Sequence, residues 1–175
     1  MKEESEIRRR RSMRLKGYDY SGEGAYFITI VTDQRTELFG KIDNEKVNLN
    51  TFGQLVMQEW QRTESLRNNV ILDQMIVMPN HLHGIIAIIE SKGVLQYAPT
   101  KWISPSQTIG AIIRGFKAAT ASKINKLRKS PGQKVWQRNY YDHIIRNEED
   151  LNNIRKYISE NPFKWSLDRE NPANL

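Results

Sequence analysis

Cysteine is absent from this chain of 175 residues, and histidine occurs three times. The absence of cysteine excludes disulfide bonds, thiolate zinc sites and cysteine nucleophiles, and it fits a reducing cytoplasm. No apolar run approaches the ~20 residues of a membrane-spanning helix. The charged N-terminus does not look like a signal peptide. We therefore expect a cytoplasmic protein without a membrane partner.

Acidic residues are outnumbered. The chain has 27 Lys and Arg against 20 Asp and Glu, a net charge of +7, and a pI near 9.6. This excess favours a polyanionic partner such as nucleic acid. Residues 1–16 hold seven basic residues against three acidic ones, a net charge of +4. A solvated tail and a phosphate-binding arm are about equally compatible with that composition. The candidate DNA contacts of the arm are Arg8, Arg9, Arg10, Arg11, Arg14 and Lys16.

The hydrophobic pattern predicts one globular domain that mixes strands and helices. The 38% hydrophobic content and the length suffice for one real core. Helical spacing predicts three helices, at 51–66, at 108–129 and between Asn147 and Pro162. Strand patterns predict segments at 25–32, 70–77 and 135–145, and a small hairpin at 38–49 that turns at Asp43-Asn44. This order indicates helices packed on an antiparallel sheet.

The central stretch from Met75 to Glu90, MIVMPNHLHGIIAIIE, carries two of the three histidines. Its apolar, largely β-branched run predicts a strand covered on both faces, and Pro79-Asn80 predicts a turn just before it. His81 and His83 lie two residues apart, so both imidazoles point to one face of the sheet. Neutral imidazoles suit a divalent cation, although two ligands do not complete a shell. Two half-exposed histidines on an edge strand are the alternative.

The predicted helix at 108–129 carries basic residues but no acidic ones. Solvated helix surfaces usually mix charges of both signs. The pattern therefore predicts a second surface that faces DNA or RNA, with Arg114 and Lys117 as the candidate contacts. Its cations are Arg114, Lys117, Lys123, Lys126, Arg128 and Lys129.

The last predicted helix offers a phenol and a carboxamide one turn apart. Tyr157 and Asn161 share a face beside an apolar stripe, so they could serve as nucleophile and metal ligand. A half-buried tyrosine and a helix-end asparagine before a proline are the ordinary alternative. Tyr140 and Tyr141 fall in the predicted strand at 135–145, where alternation sends one to each face and packing accounts for both. The apolar stripe consists of Leu151, Ile154 and Ile158.

Three segments resemble the single-tyrosine HUH transposases of insertion sequences, and most closely the REP-associated tyrosine transposases. The segments are RRRSMRLKGYDYSGEGAYFITIVT, MPNHLHGII and VWQRNYYDHIIRNEEDLNNIRKYISENPFKW. The resemblance implies the HUH endonuclease fold, a ferredoxin-like (RRM-like) antiparallel sheet with packed helices. It also implies a bacterial protein that associates with the nucleoid when acting. The expected organisation is a basic arm at 1–24, a catalytic domain at 25–165 and a tail at 166–175.

The resemblance also implies a chemistry. In such proteins the His-hydrophobic-His motif binds Mg²⁺ or Mn²⁺, which falls here on His81 and His83. The third ligand falls on Asn161, where many members carry glutamine, and the nucleophile falls on Tyr157. The implied activity is cutting and joining single-stranded DNA next to hairpins, through a 5′-phosphotyrosine. The expected partners are REP-like hairpins or insertion-sequence ends, and either a monomer or a homodimer is compatible.

Two further points concern this site. The basic neighbours Arg155 and Lys156 are expected to favour the phenolate form of Tyr157. His143 is the single further histidine that could join the metal site.

Two other functions share some of these features. A replication initiator or relaxase would use the same metal and tyrosine, but it usually has larger or additional domains. A non-catalytic nucleic-acid-binding module on a ferredoxin-like sheet would need aromatic residues on open strands. The candidates for such stacking are two adjacent pairs, Tyr26 with Phe27 and Tyr140 with Tyr141. Binding of a divalent metal separates the two classes, because a pure binding module has no use for it.

Overall fold

The computed structural model describes residues 23–89 and 108–174. Six strands lie in these ranges: β1 (Gly24–Val31), β2 (Gly40–Asp43), β3 (Lys46–Leu49), β4 (Val70–Val77), β5 (His81–Ile88) and β6 (Tyr141–Ile145). The α-helices are α1 (Thr51–Ser65), α2 (Ile109–Leu127) and α3 (Glu148–Glu160). Short 3₁₀ turns lie at Asp33–Arg35, Trp165–Leu167 and Pro172–Asn174.

A four-stranded sheet in the order β4-β5-β1-β6 forms the centre of the described fold. All its neighbouring strands run antiparallel. Strands β2 and β3 form a separate two-stranded hairpin. The predicted α+β class, with helices packed on an antiparallel sheet, is therefore confirmed.

The two faces of the sheet are covered differently. On β1, Tyr26, Ile28 and Ile30 point into the main core, where they pack with residues of α1 and α2. The alternate residues point the other way, and Phe27 packs there with Ile158 of α3. Nearly all residues of β5 are buried, because clusters of side chains pack on both faces of the sheet, as its apolar sequence predicts.

Most element boundaries follow the local sequence signals. Each α-helix begins after an extended residue whose side chain accepts backbone N–H bonds, as expected of an N-cap. These residues are Asn50, Thr108 and Asn147. The small hairpin turns one residue later than predicted, because Asn44 and Glu45 are the two residues with positive φ, at 47° and 62°. Two consecutive positive φ values are the geometry of a tight hairpin turn that matches the strand twist.

The prediction of a strand across 135–145 is wrong for its first half. Strand β6 begins at Tyr141, and before it Trp136 forms only an isolated bridge with Thr32. Trp136 is buried, and its indole Nε1 donates to the hydroxyl of Thr120 on α2 over 2.8 Å. Core packing against a helix, not sheet pairing, therefore accounts for the apolar character of this part of the segment.

Gly84 sits inside β5 for a reason of packing. A Cβ atom added there would lie 2.4 Å from the Trp60 ring of α1. Trp60 is almost fully buried, so its ring cannot swing into solvent. The glycine next to the histidine pair therefore makes room for the largest side chain of the core.

An ion pair joins α3 to the sheet. Arg155 donates from Nε to Oδ1 of Asp73 over 2.9 Å and from Nη2 to Oδ2 over 2.5 Å. Asp73 lies in β4 where the pairing with β5 shifts register, between Leu72 and Met75. The bidentate contact helps to hold α3 over the sheet.

Two further predictions concern membrane-spanning helices and the basic N-terminal arm. None of the described helices is both long enough and apolar enough to cross a membrane. The six candidate DNA contacts of the basic arm lie outside the described residues.

Candidate active site

The histidine pair lies on the face of the sheet that α3 covers. His81 and His83 are both buried, and their ring centroids are 4.4 Å apart. Their Nε2 atoms face each other over 3.0 Å. Since β5 is a central strand, the alternative of two half-exposed histidines on an edge is wrong.

Neighbouring side chains orient both rings. Asn80 donates from Nδ2 to the backbone oxygens of Arg35 and Glu170, over 3.1 and 2.7 Å. Its Oδ1 therefore remains as an acceptor, 2.8 Å from Nδ1 of His81. His81 must carry its proton on Nδ1 in the neutral form, which leaves an unprotonated Nε2. His83 has the equivalent contact with the Thr29 hydroxyl, 2.8 Å from its Nδ1.

Both imidazoles are kept neutral. Burial lowers the pKa of His81 to about 4, against smaller opposing effects of Asp168 and Asn161. Burial and the adjacent His81 lower the pKa of His83 well below its ordinary value. Neutral imidazole is the form that binds a metal ion.

A carboxylate that the sequence reasoning missed completes this cluster. Asp168 is buried, and its ligand oxygen and one nitrogen from each histidine all lie within 4.8 Å of one another. It follows the 3₁₀ turn at Trp165–Leu167, in the segment predicted as a C-terminal tail. The sequence shows only that an acidic residue lies seven positions after Asn161. Nothing in the sequence alone indicates that this residue contacts β5.

Asn161, the candidate third ligand, lies at the same place. It follows α3 directly, is buried, and donates from Nδ2 to Oδ2 of Asp168 over 2.8 Å. Its carbonyl oxygen Oδ1 is buried without a hydrogen-bond partner among the described residues. A buried carbonyl oxygen is costly to leave unpaired, and a cation would satisfy it.

The donor set fits a divalent metal. It combines two neutral imidazoles, a carboxylate and an amide oxygen that lacks a partner among the described residues. Nitrogen and oxygen donors of this kind suit a divalent cation, and soft thiolate donors are absent because the chain has no cysteine. For both Nε2 atoms to bind a cation, His83 must carry its proton on Nδ1, where the Thr29 hydroxyl can accept it.

Tyr157 lies beside the cluster, on α3. Its hydroxyl is 3.3 Å from Nε2 of His83, and its ring stands edge-on to Phe27 at a centroid distance of 5.8 Å. Burial, together with Asp168 and Glu170, raises the pKa of Tyr157 to about 12. The prediction that basic neighbours favour the phenolate form of Tyr157 is therefore wrong, when only the protein's own groups act on this side chain. Arg155 is engaged with Asp73, and the nearby carboxylates act in the opposite direction.

A cleft of about 610 Å³ opens next to Tyr157. It is lined by residues of β1 and β6, by the loop before β6 and by the segment 168–170. Tyr141 lies in this cleft with 47% of its surface exposed. The prediction that packing accounts for this side chain is therefore wrong. Tyr140 instead packs against the main core. Tyr26 and Phe27 are buried and cannot serve as open stacking platforms.

The remaining candidate residues lie apart from the metal cluster. Helix α2, with Arg114 and Lys117, packs on the face of the sheet opposite the histidines. Lys117 donates to the backbone oxygens of three consecutive residues, 137–139. His143 lines the cleft and contacts Asp150 at 3.0 Å. It is not part of the cluster of His81, His83 and Asp168.

Comparison with solved structures defines the class of fold. A REP-associated tyrosine transposase, solved bound to a REP hairpin, aligns with a TM-score of 0.54 over 91% of this chain and 77% of its own. The two sequences are 21% identical, so the likeness concerns the fold. The protein thus has the fold of a REP-associated tyrosine transposase, as the sequence motifs suggested.

Comparison of sequences defines the family more closely. The chain is 46% identical over 170 residues to a Haemophilus influenzae protein described as "Uncharacterized protein", and the match covers 93% of each. The chain belongs to the same family as that protein. No protein-family model matches. A solved structure from Deinococcus radiodurans aligns with a TM-score of 0.49 at 16% identity, over 83% of this chain and 95% of that one.

Proposed function

We propose that the protein is a metal-dependent endonuclease and strand transferase that acts on single-stranded DNA next to hairpins. The observation that carries the proposal is the Tyr157 hydroxyl, 3.3 Å from a buried pair of neutral histidines that face each other. A nucleophile at the edge of a candidate divalent-metal site is an arrangement suited to phosphodiester cleavage. The solved neighbour bound to a REP hairpin supports hairpin DNA as the partner.

Each residue of the cluster has a role in this proposal. His81, His83, Asp168 and Asn161 would hold Mg²⁺ or Mn²⁺, and Asn80 and Thr29 would orient the imidazoles. The bound metal would supply positive charge that polarises the scissile phosphate and lowers the pKa of the phenol. The candidate metal ligands are buried, whereas Tyr157 is 46% exposed, so DNA can reach its hydroxyl from the cleft.

The proposed step conserves the phosphodiester bond energy. The phenolic oxygen of Tyr157 attacks phosphorus, and a bond forms between them. The bond from phosphorus to the 3′ oxygen breaks, and that oxygen takes up the proton that the phenol gives up. The products are a 5′-phosphotyrosine and a free 3′-hydroxyl. A 3′-hydroxyl of DNA can later attack the phosphotyrosine and reverse the step, which joins strands without an external energy source.

The test is to detect and map the covalent adduct. The full-length protein is incubated with end-labelled hairpin DNA that carries single-stranded flanks, with Mn²⁺ or with EDTA. We expect a Mn²⁺-dependent adduct, located on Tyr157 by mass spectrometry of peptides. Tyr157→Phe removes only an oxygen, so it should abolish the adduct and leave DNA affinity unchanged.

Tyr141 supplies the matched control, because it lies in the same cleft and is equally exposed, at 47% against 46% for Tyr157. Tyr141→Phe should retain the adduct. An adduct on Tyr141 would overturn the assignment of the nucleophile. If no tyrosine is modified under any metal condition, the endonuclease proposal is wrong and a non-catalytic binding module is favoured.

A further inference from the structure

Tyr141 is an exposed aromatic side chain beside the reactive tyrosine. It pairs with Thr29 across β6 and β1, so it lies on the same face of the sheet as His83. Its ring is edge-on to Phe27 at a centroid distance of 6.4 Å, while almost half of its surface stays open to the cleft. Packing within the chain therefore leaves part of this apolar ring exposed to solvent in the cleft.

Two residues that bear amide side chains line the same cleft as Tyr141. Gln137 and Asn139 both line it, and they belong to the loop before β6. Each primary amide offers donors and an acceptor, the combination that hydrogen-bonds to the edge of a nucleobase. A cleft lined by an aromatic ring and by these amides therefore combines a stacking platform with groups that can distinguish bases.

Lys117 holds that loop in place from α2. Its ammonium donates to the backbone oxygens of Gln137, Arg138 and Asn139, the last two over 3.2 and 3.1 Å. Three consecutive carbonyls bound to one cation leave the loop little freedom. Sites whose supporting groups are locked in this way keep their geometry before the ligand arrives.

The covalent structure of DNA indicates which group would occupy the cleft. A nucleotide whose phosphate reaches the Tyr157 hydroxyl has its own sugar and base covalently attached within one residue's length. Tyr157 lines the same cleft as Tyr141 and the amides, so the base adjoining that phosphate has this space open to it. The volume of about 610 Å³ is within the usual range of about 300–1,000 Å³ for small-ligand pockets.

We propose that this cleft is a pocket for one unpaired base of single-stranded DNA. The ring of Tyr141 stacks on the base, and the amides of Gln137 and Asn139 read its edge. Lys117 is a positioning residue that acts through the loop and does not contact phosphate. The inference rests on the proposed function in taking single-stranded DNA as the ligand and in placing a phosphate at Tyr157, and it requires neither the metal nor the covalent step.

The test measures binding without chemistry. Full-length protein is titrated in EDTA against hairpin DNA whose single-stranded flank carries 2-aminopurine, moved one position at a time. Stacking on Tyr141 should quench the fluorescence at one flank position. Tyr141→Leu should remove the quenching and weaken binding roughly 5- to 100-fold, the range for removal of one base–aromatic stack. Tyr141→Phe keeps the ring and should retain both effects.

Base reading is tested at the same position. The four natural bases are compared there by competition, for the parent, Gln137→Ala and Asn139→Ala. We expect the preference among bases to flatten in at least one amide variant, while the dependence of affinity on salt stays unchanged. Lys117→Met should flatten the preference as well, again without altering the salt dependence. Phe163→Ala is the control, because Phe163 is an exposed aromatic outside the cleft, and it should behave as the parent.

The outcomes separate this inference from the proposed function. Unchanged quenching in Tyr141→Leu, or an unchanged base preference in both amide variants, overturns the base pocket even if Tyr157 forms an adduct. A weaker salt dependence in Lys117→Met makes that lysine a phosphate-binding group and overturns its positioning role. Position-specific quenching by a protein that forms no adduct leaves the base pocket standing and refutes the endonuclease.

Discussion

Asn161 donates its side-chain Nδ2 hydrogen to Oδ2 of Asp168 over 2.8 Å, in a buried position beside His81. This bond fixes the orientation of the Asn161 amide, so the opposite atom, the carbonyl oxygen, is the one left without a partner among the described residues. Asp168 is itself held, because its Oδ1 accepts the backbone N–H of Glu170 over 2.6 Å. The segment that follows α3 thereby adds two oxygen donors to the histidine pair.

The first prediction concerns Asp168. Asp168→Asn keeps the size of the side chain but removes the charge of a proposed ligand. Mn²⁺ affinity should therefore fall by at least the roughly 10- to 100-fold that is typical even of groups that only support metal ligands. Isothermal titration calorimetry measures the affinity without DNA. Glu37→Gln, an exposed carboxylate outside the cluster, is the control and should bind like the parent. Equal affinity in Asp168→Asn and the parent would remove the carboxylate from the metal site.

The second prediction concerns the histidine pair. Replacement of both His81 and His83 by alanine should abolish Mn²⁺ binding and DNA cleavage. Salt-sensitive DNA binding should persist, because affinity for the backbone comes from Lys and Arg residues. Circular dichroism checks that the variant is folded. Mn²⁺ binding that survives in the folded double variant would locate the metal elsewhere.

The third prediction concerns the glycine after the histidines. Gly84→Ala introduces a Cβ 2.4 Å from the buried Trp60 ring, and overpacking of this kind typically lowers the free energy of unfolding by about 1–3 kcal/mol. Gly115→Ala is the matched control on α2, where the new Cβ would meet only Arg67 at 3.5 Å. A helical Gly-to-Ala change should instead stabilise by about 0.5–1 kcal/mol. Urea denaturation measures both, and a neutral Gly84→Ala would contradict the packing argument.

The fourth prediction concerns pH. Burial lowers the pKa of Lys117 to about 8, below its ordinary 10.5. Between pH 8 and 10.5 the unfolded chain therefore binds more protons at this lysine than the folded chain. The contribution of Lys117 to the free energy of unfolding should then rise with pH across this window.

Comparison of the parent with Lys117→Met isolates this contribution, when urea denaturation is repeated from about pH 7.5 to about pH 10. Lys126→Met, which removes an exposed lysine from the same helix, corrects for the removal of one charge. The parent should gain stability relative to Lys117→Met as pH rises. If the stability of the parent relative to Lys117→Met falls or stays constant as pH rises, the folded chain does not lower this pKa.

The fifth prediction concerns the arm. Removal of residues 1–16 should weaken DNA binding and flatten its salt dependence. The slope of log affinity against log salt should fall by about 0.7 for each phosphate of a single strand that the arm neutralises. A full-length variant with Arg8–Arg11 replaced by glutamine separates charge from length, and it should share the reduced slope. If the slope is unchanged in both, the arm is a solvated tail.

Short-range signals in the sequence were sufficient for most of the fold. N-caps, a hydrophobic period and turn residues act within a few positions, so the predicted helix starts at 51, at 108 and after Asn147 lie within one residue of the observed starts. Alternation along β5 likewise puts His81 and His83 on one face. The strand proposed at 135–145 failed because an apolar residue such as Trp136 can be buried against a helix without joining a sheet.

The sequence by itself determined the α+β class and the side-by-side histidines, and its motifs pointed to the fold and to Tyr157 as the candidate nucleophile. Tertiary structure decided which groups surround them, because contacts across distant segments have no local signature. It brought Asp168 to the histidines, assigned the proton of His81 through Asn80, and left Tyr141 open to the cleft. It also reversed the expected pKa of Tyr157, since burial and approaching carboxylates depend on packing and not on neighbours in the chain.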